Sequence, residues 1–509
     1  MAPTQFHASL VPERYGHMSK ETSGRVPVRD DDDVIVYIDP KKRAIVTIAL
    51  LVGFFGIHFY MRAFSMSLAF IMADWNPGEV FTAARSLQTA VMVVATSVSM
   101  RLIPTNGIKK IMGGSLLIVI ICNIGTMLAN SLGVFLVIVM IQGIGNAGLV
   151  SNMISLMNKI WPPSKRAMWL SSIGVTQGIA AITVPTLTGI MIDNWGWRAV
   201  YVLMTAIQVI GLILMLVVTP KDTTQKNYIT TKKFDSIGVM LFVIWICSLV
   251  LAFTFGNSWG WSSPRILGLL ASAVVGLCIF IVVESKLGSD AIFPVQLFRK
   301  NRNVAMIFIQ SFSACMACFG QFALVIFYMQ VIMGTTAVVS ALPFTVFSIG
   351  TLVMSPVYGM LYKKWGRCKG LLAVSTLLVS LNAIFYGVLL APTVGLGVIF
   401  FISVLGGLGH CCVVTLCYNA GEEYLPKSRI ADGNQVAYIA ICIGGSVGLA
   451  TMQAIANIVT SSRVAAGVDE LLARAAGFET AMLVAGTFGI VGVLATLLLN
   501  KNIKENGAV

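Results

Sequence analysis

From residue 44 to residue 500 the chain is a succession of apolar runs separated by mostly short polar connections. Runs of about 20 apolar residues are what a helix needs to cross the hydrocarbon core of a bilayer. In that solvent every backbone N–H and C=O has to be paired inside the protein, which leaves only helices and closed barrels. A barrel reads as alternating segments of about 10 residues, whereas these runs are continuous. The expected fold is therefore an all-α polytopic membrane protein. With 57% hydrophobic and only 11% charged residues, the chain cannot clothe a soluble domain in polar surface. Fourteen spans are expected, near 44–72, 82–103, 108–130, 133–158, 167–192, 199–219, 236–256, 265–284, 303–333, 336–361, 370–390, 394–422, 430–460 and 476–500.

The net charge of +14 raises the question of a nucleic-acid partner, and its distribution answers it. Of the 35 Lys and Arg residues, 29 fall in the two terminal tails and the even-numbered loops. Only Arg85, Arg198, Arg265, Arg463 and Arg474 fall on the opposite face, and Arg62 lies within a span. Basic loops mark the cytoplasmic side. Both termini are thus expected in the cytoplasm of a multi-pass protein of the cell (plasma or inner) membrane. No nucleic-acid partner is expected. Residues 1–43 are polar, carry the run Asp30-Asp31-Asp32-Asp33 and have no apolar core of a cleavable leader. Nine of the ten cysteines fall in spans and Cys368 in a cytoplasmic loop, so no extracellular disulfide framework is expected. Cys315 and Cys318, like Cys411 and Cys412, read as packing residues in apolar helices.

The chain also repeats itself. Gly143-Ile-Gly145-Asn146-Ala147, followed by Pro163-Ser164-Lys165-Arg166, returns as Gly407-Leu-Gly409-His410-Cys411 and Pro426-Lys427-Ser428-Arg429. Met100-Arg101-Leu102 with Gly107-Ile-Lys109 is echoed by Gly359-Met-Leu361 with Gly366-Arg367-Cys-Lys369. Duplicated halves with matching loops are the pattern of a transporter whose substrate site lies near the midplane between them. The expected division is a tail at 1–43, a six-helix lobe at 44–219, and a linker with two additional helices at 220–302. A second six-helix lobe at 303–500 and a tail at 501–509 complete it.

Over nearly all of residues 44–500 the sequence resembles the major facilitator superfamily, in its branch of fourteen-span drug:proton antiporters. The resemblance is carried by the loop from Gly359 through Gly366 and Arg367 to Lys369, with its weaker copy at Gly107 and Lys109. It is carried also by Val184-Pro185-x-x-x-Gly189 running into Trp195-Gly196-Trp197-Arg198, by Trp259-Gly260-Trp261, and by Phe293-Pro294 with Leu297-Phe298-Arg299. The run Gly444 to Ala450 completes the series. The resemblance implies two pseudo-symmetric six-helix lobes plus two extra central helices, working by alternating access. The chain departs from the branch at four polar landmarks. Pro104 and Ile108 stand where the first loop signature has Asp and a basic residue, Val139 where the fourth helix has Arg, and Arg62 at or beside the position where the first helix usually has an acid.

Arg62 is the sharpest chemical feature. A charge at mid-bilayer is costly, and such residues face a wet cavity or a partner. Embedded acids are essentially absent before Glu422 and Glu423, so the reading is an anion site, since the planar guanidinium binds carboxylate or phosphate oxygens bidentately. His58 lies one helical turn earlier on the same face. An anion held beside it would favour the protonated imidazole and so link proton to substrate. His410 is the repeat counterpart of Asn146. Gln142, Asn146 and Gln321 are the further candidates for the cavity wall. The bland alternatives are an ion pair for Arg62 and structural roles for the histidines and amides.

There is no Gly-rich loop ending in Gly-Lys-Ser/Thr and no cluster with metal-ligand spacing, so neither an ATP-driven pump nor an enzyme is expected. No cofactor or metal is expected. The expected function is secondary transport of a small or amphipathic organic anion by a monomer in the lipid bilayer, with protons as a candidate coupling ion. Multidrug efflux by drug:proton antiport is the alternative, and a non-transporting receptor the most remote.

Overall fold

The computed structural model describes residues 40–75, 79–161, 163–219, 235–288, 291–390, 394–425 and 430–500. The acidic run, most of the 220–235 connection, the Pro426-to-Arg429 repeat and the C-terminal tail lie outside them. The described residues are helical almost throughout, with no strand among them.

Fourteen long helices occur at the fourteen expected positions. They are α1 (Pro40–Trp75), α2 (Glu79–Asn106), α3 (Ile108–Leu128), α4 (Leu132–Ile160), α5 (Pro163–Trp195), α6 (Trp197–Val218), α7 (Ser236–Trp259) and α8 (Pro264–Leu287). After a short helix, α9 (Val295–Lys300), follow α10 (Arg302–Phe327), α11 (Ala337–Trp365), α12 (Lys369–Leu389), α13 (Leu396–Tyr424), α14 (Ile430–Ala465) and α15 (Glu470–Leu497). Twelve of them are long and apolar enough to cross a membrane. In α2 and α13 the continuous apolar part is shorter, Leu87–Ile103 and Leu396–His410. A turn of π-helix, Tyr328–Ile332, extends α10.

The sequence repeat reappears as a repeat of contacts. A Cβ on Gly143 would lie 2.7 Å from the Gln88 carbonyl oxygen of α2, and one on Gly407 would overlap the Phe347 carbonyl oxygen of α11. A Cβ on Gly145 would lie 2.7 Å from the Ser115 carbonyl oxygen of α3, and one on Gly409 2.6 Å from that of Ser375 on α12. In each half, then, the fourth helix rests backbone-to-backbone on the second and third, which a side chain at these positions would prevent. The matched loops agree too. Gly107 and Gly366 both have φ near the left-handed region, at 82° and 63°, where glycine is the residue without strain. Lys109 Nζ donates to the Thr219 carbonyl at the end of α6 (2.7 Å), and Lys369 Nζ to the Leu499 carbonyl past the end of α15 (2.9 Å). Each cation thus meets the negative end of its half's last helix.

The halves meet where α5 packs on α11 and α2 on α14. The α5–α11 contact is close because Gly178 offers no side chain: a Cβ there would lie 2.5 Å from Leu352 Cβ. The extra pair, α7 and α8, replaces no helix of either half. α7 lies against α2 and α14, and Asn257 Nδ2 reaches the Ala454 carbonyl of α14 (3.5 Å). The outer face of α8, with Val274, Val275 and Val282, is exposed apolar surface of the kind lipid covers.

Candidate functional site

Arg62 and His58 project from one face of α1, as their spacing requires, and touch each other: Arg62 Nη1 lies 3.2 Å from His58 Nδ1. The other ring nitrogen, Nε2, is 3.3 Å from Gln177 Nε2 on α5, and Phe54 packs edge-on against the imidazole at 4.4 Å. The second half supplies the rest. The Arg62 guanidinium carbon lies over the Phe344 ring of α11, 5.1 Å from its centre. Phe347, one turn on, packs against His410 of α13 at 5.1 Å, and the Phe344 and Phe347 rings are nearly parallel, 6.2 Å apart. His410 is close enough to act electrostatically on His58, and Arg62 on both histidines. Three basic side chains from both halves of the chain therefore converge. All three are only half-buried in an otherwise buried region. Arg62 Nε is enclosed and makes no hydrogen bond. Among the described residues no carboxylate pairs with Arg62; the ion pair found there joins Arg474 and Glu470. A half-buried guanidinium with no carboxylate beside it among the described residues is complementary to an anion.

Beside this cluster lies a small cavity of about 20 Å³, walled by Gln321, Val325, Ser340, Phe344, Asn382 and Tyr386 among others. Pro343 sits within α11 at this level and removes one helical hydrogen bond from the wall. Asn382 and Tyr386 are already engaged, with the Ile402 carbonyl (2.7 Å) and Ser403 Oγ (2.7 Å). Gln321 is buried, yet its Nε2 has no acceptor among the described residues.

The remaining sequence candidates separate. Gln142 Nε2 donates to Asn123 Oδ1 across α3 and α4 (2.6 Å), the helix-holding role of an intramembrane amide, while its Oε1 stays without a donor. Asn146 is buried with Oδ1 unpaired. Pro185 lies within α5, Gly189 faces open space, Gly359 lies within α11, and Arg367 is exposed between α11 and α12. No group of three metal-ligating side chains occurs among the described residues.

Sequence reasoning passed over Phe344, Phe347 and a pair of acids. Contrary to the expectation that embedded acids are absent before Glu422, Glu284 near the end of α8 is fully buried, and Asp235 at the start of α7 nearly so. Glu284 Oε2 accepts from Phe293 N (2.9 Å), Asp235 Oδ1 accepts from Gly238 N (2.7 Å), and the other oxygen of each carboxyl group lies beside Gly238. The signal was present in the hydropathy pattern, since both acids flank apolar runs, but only their meeting around Gly238 buries them.

Comparison with known proteins agrees with this architecture. The sequence model of the Major Facilitator Superfamily matches residues 48–449. The multidrug transporter protein MdtP of Bacillus subtilis is 26% identical over 356 residues, which cover 69% of this chain and 64% of that protein. The tetracycline resistance determinant of Streptomyces rimosus is 28% identical over 239 residues, 45% of this chain and 66% of that one. An uncharacterized transporter of B. subtilis, YcnB, is 25% identical over 473 residues, covering 91% and 96%. The match to MdtP thus spans just under two thirds of its length. Among solved structures, the proton:xylose symporter XylE superposes with a TM-score of 0.61 at 12% identity, over 90% of this chain and 95% of that one.

Proposed function

The chain belongs to the Major Facilitator Superfamily, and from that premise we propose that it is a secondary transporter that moves a small or amphipathic organic anion by alternating access. Family and fold are those of multi-pass membrane transporters, which are not enzymes. The observation that carries the anion reading is the meeting of Arg62, His58 and His410, with no carboxylate pairing Arg62 among the described residues. The guanidinium holds the anion bidentately. His58, touching Arg62, takes a proton when the anion's charge arrives, which makes the proton the coupling ion. Because Arg62 comes from the first half while Phe344 and His410 come from the second, parting the halves opens the site and closing them encloses the anion. The protein works as a monomer with both termini in the cytoplasm, and the lobes are residues 44–219 and 303–500.

A second reading is multidrug efflux by drug:proton antiport, which the printed names of MdtP and of the multidrug resistance protein Stp of Mycobacterium tuberculosis favour. One experiment separates the two. Purified protein in proteoliposomes is given benzoate or a lipophilic cation such as tetraphenylphosphonium under imposed pH and voltage gradients. Saturable, Arg62-dependent benzoate flux is the expected result. Cation flux that survives Arg62→Ala, with no anion flux, overturns the anion reading in favour of drug export.

A further inference from the structure

We propose that the transported anion is an aryl carboxylate carrying a hydrogen-bond acceptor on its ring system, and that Phe344 and Gln321 select it. The inference rests on Arg62 as the anion site and adds what the rest of the substrate must be. A carboxylate bound bidentately lies in the plane of the guanidinium. In an aryl carboxylate conjugation keeps the ring in that same plane, so the ring extends from the guanidinium as a flat body. The guanidinium lies over Phe344, and Phe344 and Phe347 stand nearly parallel along α11. This aromatic wall offers a flat body π-faces on which to stack, at the centroid separations aromatic pairs prefer.

Phe344, which touches the guanidinium, also lines the cavity together with Phe347, so the aromatic wall joins the charge to the cavity. There Gln321 Nε2 is a buried donor with no acceptor among the described residues. A buried amide N–H left unpaired is costly, and its position in the wall makes a ring carbonyl or hydroxyl of the substrate its partner. Asn382 and Tyr386, whose hydrogen bonds are made within the protein, act as wall alone. The cavity of about 20 Å³ holds roughly one water, so the ring enters as the halves part and Phe344 gives way. Phe344 thus shields the guanidinium when the site is empty and stacks on the ring when it is filled.

The test is competition against uptake of radiolabelled 2-naphthoate by the full chain in proteoliposomes. Benzoate is compared with cyclohexanecarboxylate, which keeps charge and bulk but lacks the π-face. It is also compared with 4-acetylbenzoate, which adds an acceptor. Benzoate should compete about tenfold better than cyclohexanecarboxylate, and Phe344→Leu should bring the two close to parity. 4-Acetylbenzoate should outcompete benzoate, and Gln321→Leu should remove that advantage alone. Equal competition by benzoate and cyclohexanecarboxylate in the unmodified protein, a measurement that needs no variant, overturns the inference while leaving Arg62 as an anion site. Absence of saturable uptake, or uptake unchanged by Arg62→Ala, overturns the underlying anion reading instead.

Discussion

Replacing Gly409 by alanine tests whether the fourth helix of the second half owes its place to a bare backbone. The added Cβ would lie 2.6 Å from the Ser375 carbonyl oxygen, 2.9 Å from Leu378 Cβ and 2.9 Å from Val379 N, all on α12. Carbon contacts are comfortable at about 3.5 Å, so α13 has to back away from α12 by about 0.9 Å or bend. None of the three obstacles is the far end of a flexible side chain that could swing aside. Overpacking of this kind costs about 1–3 kcal/mol. His410 is the next residue, so the same displacement moves it relative to Phe347 and Arg62. The repeat supplies a twin: at Gly145 the Cβ would meet Val119 Cγ2 at 2.6 Å and the Ser115 carbonyl oxygen at 2.7 Å. It also supplies a control, because nothing lies within 4 Å of a Cβ on Gly189. Thermal unfolding of purified protein in detergent should show lower midpoints for Gly409→Ala and Gly145→Ala, by about 2–4 °C per kcal/mol lost. Gly189→Ala should be neutral or raise the midpoint, since alanine is favoured over glycine in a helix by about 1 kcal/mol. Gly409→Ala as stable as the parent protein would refute the close-approach argument for both halves.

Four further outcomes are expected. Arg62→Lys keeps the charge but loses the fork and should weaken benzoate binding about tenfold or more, whereas Arg62→Ala should abolish saturable flux with folding intact, as scored by flux and by size-exclusion profile. Lys109→Met and Lys369→Met should each lower stability by about 1.5–3 kcal/mol, and by similar amounts, because each removes a charged donor from the carbonyl end of its half's last helix; a large asymmetry in thermal midpoint would break the equivalence. Glu284→Gln retains an acceptor for Phe293 N and gains a donor toward Asp235, so its midpoint should match or exceed that of the parent, while Glu284→Ala should lose about 1–3 kcal/mol by leaving that amide unpaired. Cysteine labels at Lys364 should react from the cytoplasmic side and labels at Ser262 from outside, a reversed result overturning the topology.

Helix positions were legible from residue types because lipid leaves the backbone no partner but itself. An apolar run such as 108–130 has to become a helix, and α3 occupies Ile108–Leu128. The contact between His58 and Arg62 was legible for the same local reason, being a matter of i, i+4 geometry. The glycine repeat announced close helix contacts, and Gly145 and Gly409 do meet equivalent carbonyls of the third helix in each half.

What faced the cavity was decided otherwise. Hydropathy does not distinguish an amide that holds helices from one that awaits a ligand. Gln142 is taken by Asn123 and Gln321 Nε2 is left unpaired, although both read as polar residues in apolar runs. Phe344 is an ordinary lipid-compatible residue in sequence and becomes the cover of Arg62 only because α1 and α11, from opposite halves, meet at that level. Glu284 and Asp235 likewise read as interfacial acids until the pairing of α7 with α8 and the bare surface of Gly238 bring them together out of water. The sequence by itself determined where the helices lie, that its glycine-bearing segments repeat, and that one face of the first helix carries both His58 and Arg62, since each follows from solvent and local spacing. Only the tertiary structure decided which side chains surround that charge, because proximity between residues far apart in the chain is set by how whole helices pack.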